Sequence, residues 1–93
     1  MDNTNVDRET LRELADEGNE TALDRLADLA DEAGDLRELS ELLDEGSMQA
    51  GLLLTRRAVA SRDLRELRRI SDAGYDGAGS ELNRLLRAPA DGR

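Results

Sequence analysis

The chain has 93 residues, which is enough for one small domain with a thin core. It carries a net charge of −9 and contains no cysteine, histidine or lysine. This excludes disulfides, thiolate or imidazole metal sites, Schiff-base chemistry and the usual catalytic triads. The N-terminal segment is polar, and no apolar run approaches the ~18 residues of a membrane span. We therefore expect a cytoplasmic protein that is not an enzyme, with no cofactor, no metal and no membrane contact.

The sequence repeats itself every 28 residues without a gap. The blocks are 7–34, 35–62 and 63–90, and 1–93 is treated as a single helical-repeat domain. Six positions are identical in all three blocks: Asp7/Asp35/Asp63, Leu11/Leu39/Leu67, Asp16/Asp44/Asp72, Gly18/Gly46/Gly74, Ala22/Ala50/Ala78 and Leu26/Leu54/Leu82. A recurrence of this length is typical of stacked helical hairpins, in which each unit buries its apolar face against the next.

The first block predicts a helix over 7–16 and a second helix over 20–33, because apolar residues follow the 3.6-residue helical period in both segments. Gly18 stands where a helix ends in a left-handed residue, and Asn19 is a suitable N-cap for the second helix. The position of Ala22 holds an alanine in every block, so we expect neighbouring helices to approach closely there.

The second block predicts helices over 36–45 and 48–61 and is the most apolar of the three. Asp35, with Glu38 three residues later, is an Asp version of the capping box, which satisfies free N–H groups in the first turn. Ser47 is placed to cap the second helix of the block. The excess of apolar residues fits an internal unit covered on two sides, whereas terminal units need a polar outer face.

The third block predicts helices over 64–73 and 79–88, the first of them capped by Asp63 together with Glu66. The segment 72–81 between them has a faint likeness to a calcium loop, but essential ligand positions hold other residues. It is interpreted as a flexible turn between helices.

Together the blocks predict an all-α protein of about six helices, in which three helix-turn-helix repeats stack as a small right-handed α-solenoid. The alternative is a compact helical bundle, because three repeats are close to the minimum that can stack independently. Both architectures place the repeated leucines inside.

The segment 21–47, TALDRLADLADEAGDLRELSELLDEGS, resembles the helical part of ankyrin repeats, especially in GDLRELSELLDEG. The block leaves no room for the ankyrin β-hairpin. It is also shorter than a tetratricopeptide repeat and lacks the Trp of that repeat. The resemblance is architectural and implies a protein-binding solenoid as a class, without carrying over any individual binding residue.

Charge is unevenly distributed along the chain. Residues 1–46 contain 16 acids and 4 arginines, a net charge of −12, whereas 47–93 contain 6 acids and 9 arginines, a net charge of +3. In a solenoid this predicts an acidic end and an Arg-rich end formed by Arg56, Arg57, Arg62, Arg65, Arg68 and Arg69. Such ends would favour encounter with a charged partner or head-to-tail self-association. The alternative is that Glu and Arg three or four residues apart only solubilise exposed helix faces.

The function these features favour is a non-catalytic protein-protein interaction module or adaptor. Tyr75, followed by Asp76, replaces the Asn and Ser of the earlier blocks, and Tyr is a common interface anchor. We expect both to contact a protein partner together with Arg56, Arg57, Arg65, Arg68 and Arg69. Alternatively, Tyr75 covers the end of the last repeat.

A second hypothesis is a small acidic inhibitor or nucleic-acid mimic that blocks a basic site on an enzyme. Its contact residues would be the acids of the first block: Glu13, Asp16, Glu17, Glu20, Asp24, Asp28 and Asp31. Nucleic acid is a poor candidate partner, because the chain is acidic and offers no stacking aromatic at its Arg-rich end. A third hypothesis is a structural or designed repeat without a ligand.

Overall fold

A computed structural model describes residues 4–87, with side chains from residue 8 onward. Within this range the chain forms six α-helices and no strand, which confirms the predicted all-α class. The helices are α1 (Thr4–Asp16), α2 (Glu20–Ala33), α3 (Leu36–Asp44), α4 (Met48–Ser61), α5 (Leu64–Asp72) and α6 (Asp76–Arg87). The four central helices agree with their predicted bounds to within one residue, while α1 and α6 each begin three residues earlier than predicted. The predicted end of the last helix at residue 88, like the end of the third block, lies outside the described residues.

The second helices of the first two blocks are capped as predicted. The side-chain oxygen of Asn19 accepts the backbone N–H of Ala22 at 2.9 Å, and the hydroxyl of Ser47 accepts that of Ala50 at 3.0 Å. Each bond satisfies one of the backbone donors that a helix leaves free in its first turn.

The capping boxes are only half formed. The carboxylate of Asp35 accepts the N–H of Glu38 at 3.0 Å, as predicted. The returning bond is replaced, because the N–H of Asp35 donates to the carbonyl of Ala30 at 2.8 Å and so closes α2. The carboxylate of Glu38 is bound by Arg8 instead. Asp63 repeats this arrangement at the start of α5, so the predicted reciprocal boxes were wrong in that one respect.

Left-handed residues end the helices as the repeat predicts. Gly18, Gly46 and Gly74 have φ angles of 98°, 107° and 116°, values that residues with a Cβ rarely adopt. The end of α2 is also left-handed, at Gly34 with φ 70°, and the equivalent position after α4 is Arg62 with φ 53°. Arg62 therefore holds a conformation that glycine adopts at lower cost.

The start of α6 corrects the sequence prediction. The sequence predicted a turn over 72–81 and a helix that begins only at residue 79, and Gly77 and Gly79 have low helix propensity. In the structure the helix begins at Asp76, because Ala78 occupies the close-contact position of its block and is fully buried. Tertiary packing outweighs local propensity here, and the segment predicted as a flexible turn is helical from Asp76 onward.

Helix contacts join neighbours along the chain. Each block packs its two helices against each other, and α2 and α4 also pack against both helices of the following block. Between described residues, no contact joins helices of the first block to helices of the third. The molecule measures 49 × 28 × 17 Å, with a radius of gyration of 14.8 Å.

The core is built from the repeated leucines and alanines. Leu39 and Leu67 have no exposed surface, and the three alanines of the close-contact position are at most 4% exposed, as predicted. Leu36 and Met48 lie outside the core in spite of their apolar character, because each is the first residue of a helix.

Candidate partner-binding groove

The arginines predicted to form a docking surface are divided between α4, α5 and the turn that joins them. Two of them are engaged within the chain, Arg57 with Asp31 at 2.8 Å and Arg69 with Glu66 at 2.7 Å, whereas Arg68 lies 3.9 Å from Asp72 and stays 78% exposed. Arg56, Arg62 and Arg65 are exposed and form no ion pair with the described residues. The basic side chains available to a partner are therefore fewer than the sequence suggests.

The predicted acidic face is also divided. Three of its carboxylates accept hydrogen bonds from α4 or its N-cap: Asp24 from Ser47 at 2.9 Å, Asp28 from Gln49 at 2.8 Å and Asp31 from Arg57 at 2.8 Å. Asp16 is bound by Arg12, while Glu13, Glu17 and Glu20 are exposed. The inhibitor hypothesis stays a prediction, with fewer free carboxylates than the sequence offers.

Hydrogen bonds raise the pKa values of two arginines. Arg12 lies in α1 and Arg69 in α5, and each of these is the first helix of its block. Arg12 donates hydrogen bonds to Glu45 and Asp16, which raise the pKa of its guanidinium further above its ordinary value. A hydrogen bond to Glu66 raises the pKa of Arg69 in the same way. Arginine is charged at every pH a protein meets, so these pairs do not titrate. The pair Arg12–Glu45 joins α1 to the end of α3, whereas Arg69–Glu66 lies within α5.

Tyr75 is held between two glycines of neighbouring helices. A Cβ placed on Gly51 of α4 would lie 2.5 Å from Cγ of the ring, and one placed on Gly77 of α6 would lie 2.6 Å from Cε2. The ring is partly buried and packs against the core. The structure therefore gives Tyr75 a packing role between α4 and α6, at the interface of the second and third blocks. Asp76 begins α6 and is exposed.

The two interfaces between blocks have opposite chemistry at equivalent positions. In the first interface, between α2 and α4, Ser47 donates a hydrogen bond to Asp24. In the second, between α4 and α6, the residues 28 positions later are Tyr75 and Leu52. The partners of the salt bridge Arg57–Asp31 are likewise replaced by Leu85 and Val59. The second interface thus exposes an apolar edge where the first has a polar one.

A groove of about 430 Å³ opens along this apolar edge, between α4 and α6. Its lining residues are Leu52, Thr55, Arg56, Val59, Ala60, Tyr75, Gly77 and Glu81. Thr55 is 5% exposed, and its hydroxyl makes no hydrogen bond to the part of the chain that the structure describes. A buried hydroxyl without a partner costs about 1–3 kcal/mol, so the fold gains nothing from it at this position.

The groove unites two predicted contact residues, Tyr75 and Arg56, with residues that the sequence analysis did not select. Thr55 could have been noticed from the repeat alone, because the first block holds Ala27, a fully buried alanine, at the equivalent position. The pairing of Tyr75 with Gly51 carries no such signal, since it depends on how closely α4 and α6 approach. Arg65, Arg68 and Arg69 belong to α5 and are not part of the groove lining.

The groove has the chemistry of a contact surface. Its charged groups are Arg56 and Glu81, and Glu81 is held by Arg84 at 2.6 Å. The described residues include no group of three or more His, Cys, Asp or Glu side chains that could hold a metal ion. None of the helices that the structure describes is long and apolar enough to cross a membrane.

Comparisons of the chain with family models, with curated proteins and with solved structures find no match. The resemblance to ankyrin repeats therefore stays a prediction.

Proposed function

We propose that this protein is a non-catalytic protein-interaction module that binds a peptide segment of its partner in the groove between α4 and α6. One observation carries the proposal. Thr55 places a hydroxyl at a buried position of the groove where an alanine would serve the fold, and the hydroxyl has no partner in the described chain. The hydroxyl oxygen has almost no exposed surface, so the bound peptide would have to move the side chains that line the groove aside. Its backbone would then supply the missing partner, since it presents a donor and an acceptor at every residue.

The lining of the groove indicates what the peptide contains. Leu52, Val59 and Tyr75 offer an apolar surface for an aliphatic or aromatic side chain. Arg56 is exposed and suits a carboxylate beside that side chain. The occupant we propose is therefore a segment that carries a large apolar residue next to Asp or Glu.

We also propose that the three blocks stack as a right-handed α-solenoid that presents this groove on its side. The contacts between consecutive blocks support a stack, and so does the extended shape. The radius of gyration is 14.8 Å, whereas a compact domain of this length would have about 12 Å. Small-angle X-ray scattering distinguishes the two, because a bundle would scatter with the smaller radius.

The function is tested by selecting peptides from a random phage-displayed library against the full chain. We expect selected sequences to share an apolar residue beside an acidic one. The affinity of a synthetic selected peptide is then measured for three variants by fluorescence polarisation. Arg56→Glu should weaken binding about tenfold, because it places like charges together. Arg37→Glu is the matched control, since Arg37 is 90% exposed on α3, and it should bind as the wild type does.

Thr55→Val separates a binding role from a structural one. The variant keeps the shape of the side chain and removes the hydroxyl, so it should raise the free energy of unfolding by about 1 kcal/mol. It should also weaken peptide binding about two- to tenfold through the lost hydrogen bond. Selected peptides that bind Arg56→Glu and Thr55→Val as tightly as the wild type would exclude the groove as the site. A library that yields no binder would contradict the proposal itself.

A further inference from the structure

The two ends of the row of blocks expose positions that are buried inside it. Leu14 in the first block is 37% exposed, whereas its equivalents Leu42 and Ile70 are at most 1% exposed. Leu86 in the third block is 63% exposed, whereas its equivalents Ala30 and Ala58 are at most 3% exposed. The exposed fractions differ because a neighbouring block covers the equivalent residues inside the row, whereas no described block precedes the first or follows the third.

The apolar residues around these two leucines show the same gradient. Leu11 is partly exposed, although Leu39 at the equivalent position of the second block is fully buried. At the other end, Leu82 is partly exposed, although Leu54 at the equivalent position is 2% exposed. Each end therefore carries one half of an interface between blocks.

We propose that the first-block end of one copy docks onto the third-block end of a second copy, head to tail, and repeats the interface between the first and second blocks. Leu11 and Leu14 stand at positions that pack against the preceding block in the second and third blocks. The end with Leu82 and Leu86 has the residues that normally receive the following one. The groove between α4 and α6 takes no part in this contact.

The polar residues support the match. Within the chain, Arg12 of the first block binds Glu45 of the second. By the 28-residue period, Arg68 of the third block is equivalent to Arg12, and Glu17 is equivalent to Glu45. At the contact between copies, Arg68 of one copy would therefore meet Glu17 of the second copy. Arg68 is available, because its side chain is 78% exposed and its contact with Asp72 is 3.9 Å long.

A second polar contact follows in the same way. The bond from Ser47 to Asp24 becomes a pair between Asn19 of the second copy and Ser80 of the first. An amide and a hydroxyl also form a hydrogen bond. The first block has 10 acids and 3 arginines, a net charge of −7, whereas the third block has 5 of each, a net charge of 0. Head-to-tail contact therefore avoids the repulsion that two first blocks would meet in head-to-head contact.

A head-to-tail contact leaves both outer ends free, so it continues into open chains of molecules. Sedimentation velocity on the full chain should show a weight-average mass that rises from the 10.2 kDa of one copy as concentration increases from micromolar to millimolar. Added salt should reduce the mass, because the contact includes exposed ion pairs.

Blocking one end at a time gives the sharpest test. Leu14→Glu closes the first-block end, and Leu86→Glu closes the third-block end, so each variant alone should stay at 10.2 kDa. An equimolar mixture should form a complex of two chains and nothing larger, because one open end of each kind remains. Met48→Glu is the matched control, since Met48 is 52% exposed but lies on the middle block, and it should associate as the wild type does.

A charge exchange tests the residue pair. Glu17→Arg and Arg68→Glu should each weaken association several-fold, and the double variant should restore it. Circular dichroism checks that every variant keeps its helices. A wild type that remains a single copy at millimolar concentration would overturn the inference, and so would a mixture of the two end-blocked variants that remains unassociated. Neither result would affect peptide binding in the groove.

Discussion

Adding a methyl group to Gly51 should destabilise the protein while Tyr75 is present and stabilise it once Tyr75 is removed. The new Cβ would lie 2.5, 2.6 and 2.8 Å from Cγ, Cδ1 and Cβ of the tyrosine, whereas carbon atoms in contact prefer about 3.5–4.0 Å. The ring would have to move by about 1 Å. Gly77 leaves it little room, because a Cβ placed there would lie 2.6–3.0 Å from the opposite edge of the ring.

The magnitude follows from two opposing effects. Overpacking of this kind costs about 1–3 kcal/mol, while Ala in place of Gly inside a helix contributes about 0.5–1 kcal/mol of stability. Gly51→Ala should therefore lower the free energy of unfolding by about 1–2 kcal/mol in the wild type. In a Tyr75→Ser background only the second effect remains, and the same change should raise that free energy by about 0.5–1 kcal/mol. Ser is a suitable replacement, because it is the residue found at this position in the second block.

Urea unfolding of the four proteins, followed by circular dichroism, measures this cycle. The coupling between the two positions should be about 1–3 kcal/mol, and each 1 kcal/mol should also move the melting temperature by about 4–8 °C. Val59→Ala is a useful control, since this side chain also faces the groove but lies away from Gly51 along α4. If Gly51→Ala has the same effect with and without Tyr75, the ring does not lie against Gly51, and the packing of Tyr75 between Gly51 and Gly77 is contradicted.

Two further changes test the helix ends. Arg62→Gly should raise the free energy of unfolding by about 1 kcal/mol, because Arg62 has a φ of 53° that glycine adopts without steric cost; an unchanged or lower value in urea unfolding would contradict the left-handed geometry. Ser47→Ala should cost about 1–2 kcal/mol, since the hydroxyl both caps α4 and donates to Asp24. Asn19→Ala should cost only about 1 kcal/mol in the same assay, because Asn19 is exposed and serves only as a cap; equal losses would show that the bond to Asp24 contributes nothing.

Features that depend on neighbouring residues could be predicted from the sequence. The caps at Asn19 and Ser47 and the left-handed glycines involve atoms only a few residues apart, so composition and spacing were sufficient to place them. The prediction was wrong at the start of α6, where 72–81 was interpreted as a turn. Packing of Ala78 decided that helix, and packing is not a local property.

The candidate site was predicted only in part, because its residues meet across helices. Tyr75 and Arg56 were selected from residue type and charge, yet the ring turned out to be held by Gly51 and Gly77. Thr55 was not selected, although it replaces an alanine of the first block; only the tertiary structure tells that its hydroxyl has no partner among the described residues. The carboxylates of α2 looked free in the sequence and are bound to α4 or its N-cap in the structure.

The amino-acid sequence by itself determined the 28-residue period, the six helices and all of their described ends except the starts of α1 and α6. A backbone hydrogen bond, a cap or a left-handed turn involves residues within about five positions of one another. Tertiary structure alone decided which charges are neutralised, where the apolar edge lies and which hydroxyl has no partner. Those properties depend on the distance between α2, α4 and α6, and no spacing along a single helix reports that distance.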